Sequence, residues 1–300
     1  MESWITFVLA AQFIWAVCSL IDKVVISKGH IKNPLVYIVL NGLMNIFLIF
    51  LLPFFSLEPL KFADFMIVLA SSTSASIGII LYYKAVQYDE ISRINILLQF
   101  IPIFVLALSF LLLNESPTMY HLAGFLFLFC AGIISSYKKA EKFLSLNNAV
   151  YYMLLSGLFI AVAYVAAKHV FNVTSFWSGI LWLRLTSFVP LVLLLIPSIR
   201  NEFIKTFMNM RAKMKSLLSF KMAIDFSAFI LADYALLIGP VSLVSALSSS
   251  SAPLFVFALA LLASIYLPKI IKEDISKTAI ITKGIAIAFV IAGIAIINLV

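Results

Sequence analysis

Charged residues are scarce in this sequence: only 11% of its 300 residues are Asp, Glu, Lys or Arg, and only 13 residues are acidic. Water-soluble domains carry about 25% charged residues, so this chain lacks the polar surface that such a domain needs. The only cysteines, Cys18 and Cys130, both lie within apolar runs. These shortages exclude soluble domains, disordered chains, coiled coils and disulfide-rich secreted scaffolds.

Several catalytic and cofactor motifs are also missing. There is no Walker loop, so we expect no ATP hydrolysis by this chain. The three histidines, His30, His121 and His169, are too scattered for a metal cluster, and the cysteines do not complete one. We therefore expect no cofactor, no metal and no enzyme activity. The net charge of +8 is interpreted as a membrane-topology signal and not as a nucleic-acid surface.

The sequence is instead rich in long apolar runs: 64% of its residues are hydrophobic, and its mean hydropathy is +1.13. A membrane-spanning helix needs about 20 apolar residues. The gaps between charges predict ten such helices, which gives an all-α membrane protein of ten transmembrane helices. The predicted spans are 3–21, 33–57, 65–83, 94–114, 116–137, 143–167, 175–197, 222–239, 241–267 and 279–299.

An internal repeat divides these ten spans into two sets of five. Superposing Pro102 on Pro253 also superposes Tyr83 on Tyr234, and Lys23 falls on Lys168 with a similar offset; Gly124 of span five corresponds to Gly284 of span ten. The predicted halves are 1–142 and 143–300. Because five is an odd number, the second half enters the membrane in the opposite orientation. Inverted repeats of this kind are typical of transporters that work by alternating access.

The same segments resemble a known family. They are AAQFIWAVCSLIDK, ISRINILLQFIPIFVLALSFLLLNES and HLAGFLFLFCAGIIS in the first half, and LFIAVAYVAAK, SLVSALSSSSAPLFVFALALL and KGIAIAFVIAGIAI in the second. Each half resembles an EamA-type repeat of the drug/metabolite transporter superfamily. The second half departs from the family pattern after span nine, where Glu273 comes several residues later than the position that Glu115 occupies in the first half.

The resemblance implies a function and an architecture. It implies ten helices, a central cavity between helices one to four and six to nine, and a scaffold role for helices five and ten. It also implies the import or export of small metabolites, with both termini in the cytoplasm. Lysine and arginine favour the opposite orientation, because they concentrate in the odd-numbered connections, which would then be cytoplasmic.

Charged residues at membrane depth are the first candidates for a binding site. Arg184 lies near the middle of span seven, and Asp233 lies in the second half of span eight. Adjacent antiparallel helices would bring them together, either to bind and exchange a solute or only to fix the packing as a buried ion pair. Asp225 is expected to reach the interface beside Lys221, and Lys23 and Lys168 to extend towards the headgroups.

Uncharged polar residues form stripes at helical spacing that could face a common cavity or could hydrogen-bond between helices. Pro102 and Pro253 would open the hydrogen-bond ladder of spans four and nine at matched depths. Trp15 and Tyr164 would supply aromatic walls. The complete set of predicted substrate-binding residues is Gln12, Trp15, Asn41, Asn45, Tyr82, Asn95, Gln99, Tyr164, Arg184, Asp233 and Ser249.

The long seventh connection contains apolar residues at helical spacing among basic ones, from Phe203 to Leu217. This pattern predicts either an amphipathic helix at the membrane interface or a solvated loop. The function predicted from all these features is a secondary transporter of a small, amino acid-like or related metabolite, coupled to protons or working by exchange. The alternatives are a membrane-embedded enzyme or lipid-handling protein, and a non-transporting scaffold or receptor. We expect a monomer or weak homodimer in contact with membrane lipids, in the plasma membrane of a prokaryote.

Overall fold

A computed structural model of the chain describes residues 2–29, 33–45, 57–88, 91–136, 148–266 and 276–299, and these residues contain helices but no strand. The helices are α1 (Ser3–Gly29), α2 (Pro34–Asn45), α3 (Phe62–Val86), α4 (Ile91–Leu98), α5 (Ile101–Leu113), α6 (Met119–Ser136), α7 (Asn148–Val173), α8 (Phe176–Thr186), α9 (Pro197–Asn209), α10 (Ala212–Ile238), α11 (Val241–Tyr266) and α12 (Lys277–Ile297), with a 3₁₀ helix at Val189–Leu195.

Eight segments within the described residues are long and apolar enough to cross a membrane. They are Ser3–Asp22, Phe62–Tyr88, Ile94–Leu113, Met119–Ser136, Asn148–Val173, Phe176–Leu195, Val241–Leu262 and Thr278–Ile297. The other two predicted spans are not among them. The described helix α2 has only 12 residues, and α10 carries Lys221, Asp225 and Asp233 within its apolar part. The structure therefore supports an all-helical integral membrane protein, and the count of ten spans stays a prediction.

Prolines accompany an interrupted helix in two of the predicted spans but not in a third. Span four divides into α4 and α5 at Gln99–Phe100, just before Pro102, whose missing N–H leaves the helical ladder open. Span seven ends its α-helical part at Thr186 and continues as a 3₁₀ helix that contains Pro190. Helix α11 instead continues through Pro253. Pro253 leaves the Ser249 carbonyl without its helical donor, as predicted, but this opening of the hydrogen-bond ladder does not interrupt the helix.

The most extensive helix contacts join a helix from the first 142 residues to a helix from the rest of the chain. Helix α3 lies along α7, and α1 lies along α10, while α6 packs on α12. The α6–α12 crossing is close because Gly124 faces the backbone of Gly293, where an added Cβ would come 3.0 Å from the carbonyl oxygen. Gly284, which the repeat matches with Gly124, has no such neighbour within 4 Å.

The connections place the chain's polar ends on two opposite faces of the bundle. At the first, the Glu2 backbone N–H donates to Asn298 Oδ1 at 2.8 Å, Ser175 donates to Glu58 at 3.0 Å, and Val241 donates to Glu115 at 3.2 Å. We call this face the Glu115 end. At the other, the α9 end, Asn33 Nδ2 donates to Glu202 Oε2 at 2.8 Å. Helix α1 therefore runs from the Glu115 end to the α9 end.

The seventh connection is neither a single interfacial helix nor a loop. It forms α9 and, after a break at Met210–Arg211, the first turns of α10. The apolar residues that suggested one amphipathic helix, including Phe203, Met214 and Leu217, pack against Val36 and Leu40 of α2. Part of their periodicity therefore reflects packing inside the protein, although Phe207 is 40% exposed. A single helix across 203–217 is not formed, and a position of this segment at the membrane interface stays a prediction.

Candidate functional site

One face of α10 carries three charged residues and an aromatic ring. Lys221, Asp225, Phe229 and Asp233 follow one another at intervals of four residues, so they lie on the same face over ~18 Å of helix axis. Helix α10 ends at Ile238, which places Asp233 ~9 Å and Asp225 ~21 Å from Gly239 at the Glu115 end. Polar groups therefore extend along α10 through much of the thickness of the bundle.

The first group on this face, the Lys221 cluster, consists of Asp22, Tyr37, Lys221, Asp225 and Trp15. Lys221 Nζ lies 3.3 Å from Asp225 Oδ2 and 3.7 Å from Asp22 Oδ1. The Trp15 indole Nε1–H donates to Asp225 Oδ1 at 2.7 Å, and the Tyr37 hydroxyl donates to Asp22. The Lys221 side chain is only 6% exposed. The cluster thus joins α1, α2 and α10 through charged and hydrogen-bonded side chains. Asp225 lies beside Lys221 as expected, and its reach to the interface stays a prediction.

The second group is the predicted pair of Arg184 and Asp233, which the structure contains. Arg184 Nη2 donates to Asp233 Oδ2 at 2.6 Å, and the two side chains are 13% and 7% exposed. The guanidinium carbon lies 4.0 Å from the centroid of the Phe229 ring. Arg184 Nε is buried and has no hydrogen-bond partner among the residues described. Asp233 already pairs the charge of this guanidinium, which leaves it little capacity to neutralise a free anion, although Nε keeps a donor without a described partner.

Aromatic and amide groups lie between the two charged groups. Phe229 meets Trp15 edge-to-face, with ring centroids 5.2 Å apart. Gln12 lies three residues before Trp15 on the same face of α1; it is 6% exposed, and its amide makes no hydrogen bond to any part of the chain that the structure describes. Tyr164 of α7 packs against the main core within electrostatic range of Asp233. Arg184 Nε is a buried donor without a described partner, and such a group is costly in an apolar interior, so this region is the best candidate for contact with a solute.

The remaining predicted residues lie elsewhere. Gln99 Nε2 donates to Ser136 Oγ of α6 at 3.1 Å, and the Gln99 side chain lies directly against Gly132. Asn95 lies one turn earlier on α4, and its carbonyl accepts a longer bond from Gln99 at 3.4 Å. Tyr82 contacts Tyr83 and belongs to a separate core cluster with Ile94 and Met153.

Three predicted residues remain. Asn41 and Asn45 fall outside the side chains that the structure describes, as does Lys23. Ser249 is half-buried on α11. Thus the structure brings together Gln12, Trp15, Tyr164, Arg184 and Asp233, it places Gln99 in a contact between helices, and the binding role of every one of these residues stays a prediction.

Sequence reasoning missed Phe229 and Tyr37, which complete the two charged groups. Phe229 had a usable signal, because it is spaced four residues from both Asp225 and Asp233. The sequence contains 27 phenylalanines, so Phe229 is recognised only when its spacing from the two aspartates is considered. Tyr37 had no such signal, since its hydroxyl meets Asp22 only when α2 packs beside α1.

Charged side chains at the Glu115 end bind main-chain groups. Lys168 Nζ donates to the carbonyl oxygens of Leu236, Leu237 and Gly239 at 2.7, 2.9 and 3.0 Å. These carbonyls end α10, where a cation is favoured by the helix dipole. Both Glu115 carboxylate oxygens accept from the Val241 N–H, at the start of α11, at 3.2 Å. Lys168 therefore does not extend to the headgroups as predicted, because a helix end within reach provides three acceptors.

Comparison with known proteins identifies the first half of the chain. Residues 2–137 match the model of the EamA-like transporter family. This segment is thus similar to the EamA-like transporter family. No curated protein sequence matches the chain. A crystal structure with 14% sequence identity superposes with a TM-score of 0.68 over 99% of this chain and 96% of its own, which shows a shared fold for nearly the whole length.

The EamA-like segment holds only part of the candidate site. Gln12, Trp15 and Asp22 lie within residues 2–137, whereas Arg184, Lys221, Asp225 and Asp233 lie beyond them. Every contact of the Lys221 cluster that joins α1 to α10 therefore joins the EamA-like segment to the rest of the chain. The site is a product of both halves of the protein.

Proposed function

We propose that this EamA-like protein is a secondary transporter that moves a small, amino acid-like organic solute across a membrane by alternating access. The observation that carries the proposal is the polar line along α10, in which the Lys221 cluster, the Trp15–Phe229 contact and the Arg184–Asp233 pair follow one another. Intramembrane charges are costly and mark solute or ion pathways when they face the interior of a helix bundle.

An architecture of ten helices in two inverted repeats, 1–142 and 143–300, is part of the proposal. Its support is the exchanged helix packing: α1 of the first half lies along α10 of the second, and α7 of the second lies along α3 of the first. A twofold relation between two five-helix halves requires this reciprocity, because span one would correspond to span six and span three to span eight. Solute sites of such transporters lie at the interface of the repeats near the midplane.

The orientation follows from the charges at the two ends. The described basic residues of the seventh connection, among them Arg200, Lys205, Arg211 and Lys213, all belong to the α9 end. The positive-inside rule places this end in the cytoplasm and the Glu115 end outside. Labelling of a single cysteine introduced at Asn298 by a membrane-impermeant reagent in intact cells checks this; labelling only after permeabilisation contradicts the proposed orientation.

A flux measurement tests the function. The purified chain is reconstituted into vesicles and offered radiolabelled amino acids, nucleosides and sugar phosphates under pH gradients of either sign. We expect accumulation of at least one solute, and a loss of ~10-fold or more in Trp15→Phe, which keeps the ring but removes the donor to Asp225.

The matched control is Phe110→Leu, because Phe110 is 59% exposed on the outer surface of α5. We expect this variant to transport as the wild-type protein does. Absence of flux for every solute under both gradients, or equal losses in the site and control variants, contradicts the proposed function.

A further inference from the structure

The outward side of helix α9 combines exposed apolar side chains with basic ones. Ile204, Phe207 and Met208 are 50%, 40% and 70% exposed. Since an α-helix has 3.6 residues per turn, these three occupy about a third of the helix circumference, and the exposed Arg200 and Lys205 border them. We call these five residues the Met208 face. An apolar stripe bordered by basic residues is typical of helices that lie at a membrane surface.

The opposite side of α9 is fixed to the bundle. Phe203 packs against a core cluster that contains Met210 and Val36 of α2. Glu202, the only acidic residue of α9, accepts a hydrogen bond from Asn33 Nδ2 at 2.8 Å. The Met208 face therefore cannot turn inwards while these contacts hold. Its apolar side chains need a cover from outside the part of the chain that the structure describes.

The position of α9 in the sequence places it close to the end of a membrane span. The segment Phe176–Leu195 is long and apolar enough to cross a membrane, and α9 begins at Pro197, two residues later. Two residues of chain reach at most ~7 Å, so the first turn of α9 starts within that distance of the end of the span. Leu195 and Ile196 are themselves 78% and 45% exposed. The apolar surface thus continues from the span to α9, which favours a position of the Met208 face beside the lipid headgroups.

The charges around α9 favour one class of headgroup. The segment 196–220 contains a single acidic residue and five basic ones, which are Arg200, Lys205, Arg211, Lys213 and Lys215. Within the described part of the chain, no acidic side chain forms an ion pair with any of the five. Lys215 Nζ lies 4.8 Å from the centroid of the Phe207 ring, which keeps one of these cations next to the apolar stripe. Basic residues without a counter-ion in the protein attract anionic lipids.

We propose that the Met208 face is a binding surface for anionic phospholipid. Ile204, Phe207 and Met208 lie among the upper parts of the acyl chains, and Arg200 and Lys205 bind the phosphate groups. Bound lipid then holds the seventh connection at the membrane surface, between the helices that carry Arg184 and Lys221. This inference concerns lipid binding and does not rest on the proposed transport of a solute.

Lipid-selective quenching of fluorescence tests the proposal. The full-length protein with Cys18→Ala, Cys130→Ala and Met208→Cys is labelled with a bimane fluorophore and reconstituted into phosphatidylcholine vesicles. Part of the lipid is replaced by phosphatidylglycerol or phosphatidylcholine, each carrying the same nitroxide near the top of its acyl chain. We expect both lipids to quench, and phosphatidylglycerol to quench about threefold more, because the basic residues enrich it around α9. High salt should remove this difference by screening the attraction.

Two charge variants of the labelled protein show whether the preference belongs to the Met208 face. Arg200→Gln/Lys205→Gln removes two charges and keeps the apolar side chains. In this variant both lipids should still quench, and the preference should fall from about threefold to about 1.5-fold or less. The matched control is Lys61→Gln, which removes an exposed lysine at the start of α3, at the Glu115 end. It should keep the full preference.

The results that would overturn the proposal are specific. Equal quenching by the two lipids at low salt contradicts it, as does a preference that is unchanged in Arg200→Gln/Lys205→Gln or equally reduced in Lys61→Gln. Quenching by neither lipid also contradicts it, because the Met208 face then lies in water or beneath another protein.

Thermal unfolding of the wild type provides a second test that needs no substitution. Phosphatidylglycerol added to the detergent micelles, at tenfold its half-saturating concentration, should raise Tm by about 2 °C through preferential binding to the folded form. Phosphatidylcholine should not. If the cysteine-free protein does not fold, this contrast decides, and equal Tm values with the two lipids overturn the proposal.

Discussion

The two ends of α10 use charge in different ways. At the Glu115 end, Lys168 and Glu115 bind backbone carbonyls and a backbone N–H at the Gly239–Pro240 turn. Towards the α9 end, Asp22, Lys221 and Asp225 bind one another. At the first end, each contact joins one ionised side chain to an uncharged backbone group and fixes a turn. At the second end, the Lys221 ammonium is shared between two carboxylates.

This difference separates a structural use of charge from an exchangeable one. A backbone carbonyl cannot titrate, so the contacts of Lys168 persist at any pH at which the lysine stays charged. A carboxylate can be neutralised, and a lysine between two carboxylates can change partner. The Arg184–Asp233 pair lies between these cases, because each ion has one described ionic partner.

Breaking the Arg184–Asp233 pair should have the largest effect on stability. Replacing either residue singly, as in Arg184→Met or Asp233→Leu, leaves its partner buried without an opposite charge, which costs about 3–5 kcal/mol. The double variant Arg184→Met/Asp233→Leu should recover much of this loss, because no unpaired charge remains. Denaturant unfolding in detergent checks the cycle; a double variant no more stable than either single variant contradicts it.

Removing the Lys168 contacts should have the next largest effect. Lys168→Met removes a charged donor from three carbonyls, and we expect a loss of about 3 kcal/mol in the free energy of unfolding. Lys213→Met is the control, since Lys213 is exposed in the first turn of α10. Equal melting temperatures of the two variants would contradict the proposed role of the Glu115 end in fixing the turn.

Gly124 and Gly284, which the predicted repeat matches with each other, should respond differently to alanine. Gly124→Ala places a Cβ 3.0 Å from the Gly293 carbonyl oxygen and should destabilise the protein by about 1–3 kcal/mol through overpacking. Gly284→Ala meets nothing within 4 Å and should be neutral or stabilising by up to about 1 kcal/mol, because alanine favours helix formation. Thermal unfolding of both variants measures the contrast, and equal effects would refute it.

The smallest effect is a pH dependence at the Glu115 end. Hydrogen bonding from the Ser175 backbone N–H lowers the pKa of the Glu58 carboxyl from its ordinary value of 4.5. A lowered folded-state pKa adds stability that is fully present above the unfolded pKa, and is lost as pH falls below about 4.5 through the folded value. Between pH 6 and 3, the melting temperature should fall more steeply with pH for the wild type than for Glu58→Gln. The same pH dependence of Tm in both proteins would exclude this contribution.

Much of the architecture could be predicted from the sequence because lipid imposes simple rules. Runs of about 20 apolar residues predict spanning helices, and most predicted spans coincide with described helices. The pairing of Arg184 with Asp233 was also predictable, since an isolated charge at membrane depth requires a partner. The interruptions of spans four and seven were harder to predict. Pro102, Pro190 and Pro253 share the same chemistry, yet only the first two accompany an interrupted helix.

The candidate site shows where prediction from sequence ended. Gln12 and Gln99 look alike in the sequence, as amides on small-residue helices. In the structure Gln99 has Ser136 as a partner on α6, whereas Gln12 has no described partner beside Trp15. Neighbours from other helices decide this difference, and helical periodicity does not identify them.

The amino-acid sequence alone determined that this chain is solvated by lipid and folds into helices, because these properties depend on composition and on spacing within one segment. The tertiary structure decided which charges meet. Lys168 reaches a helix end, Lys221 reaches two carboxylates, and Tyr37 reaches Asp22. Each of these contacts joins residues of different helices, and their energies depend on distances of a few ångströms that only the packed bundle sets.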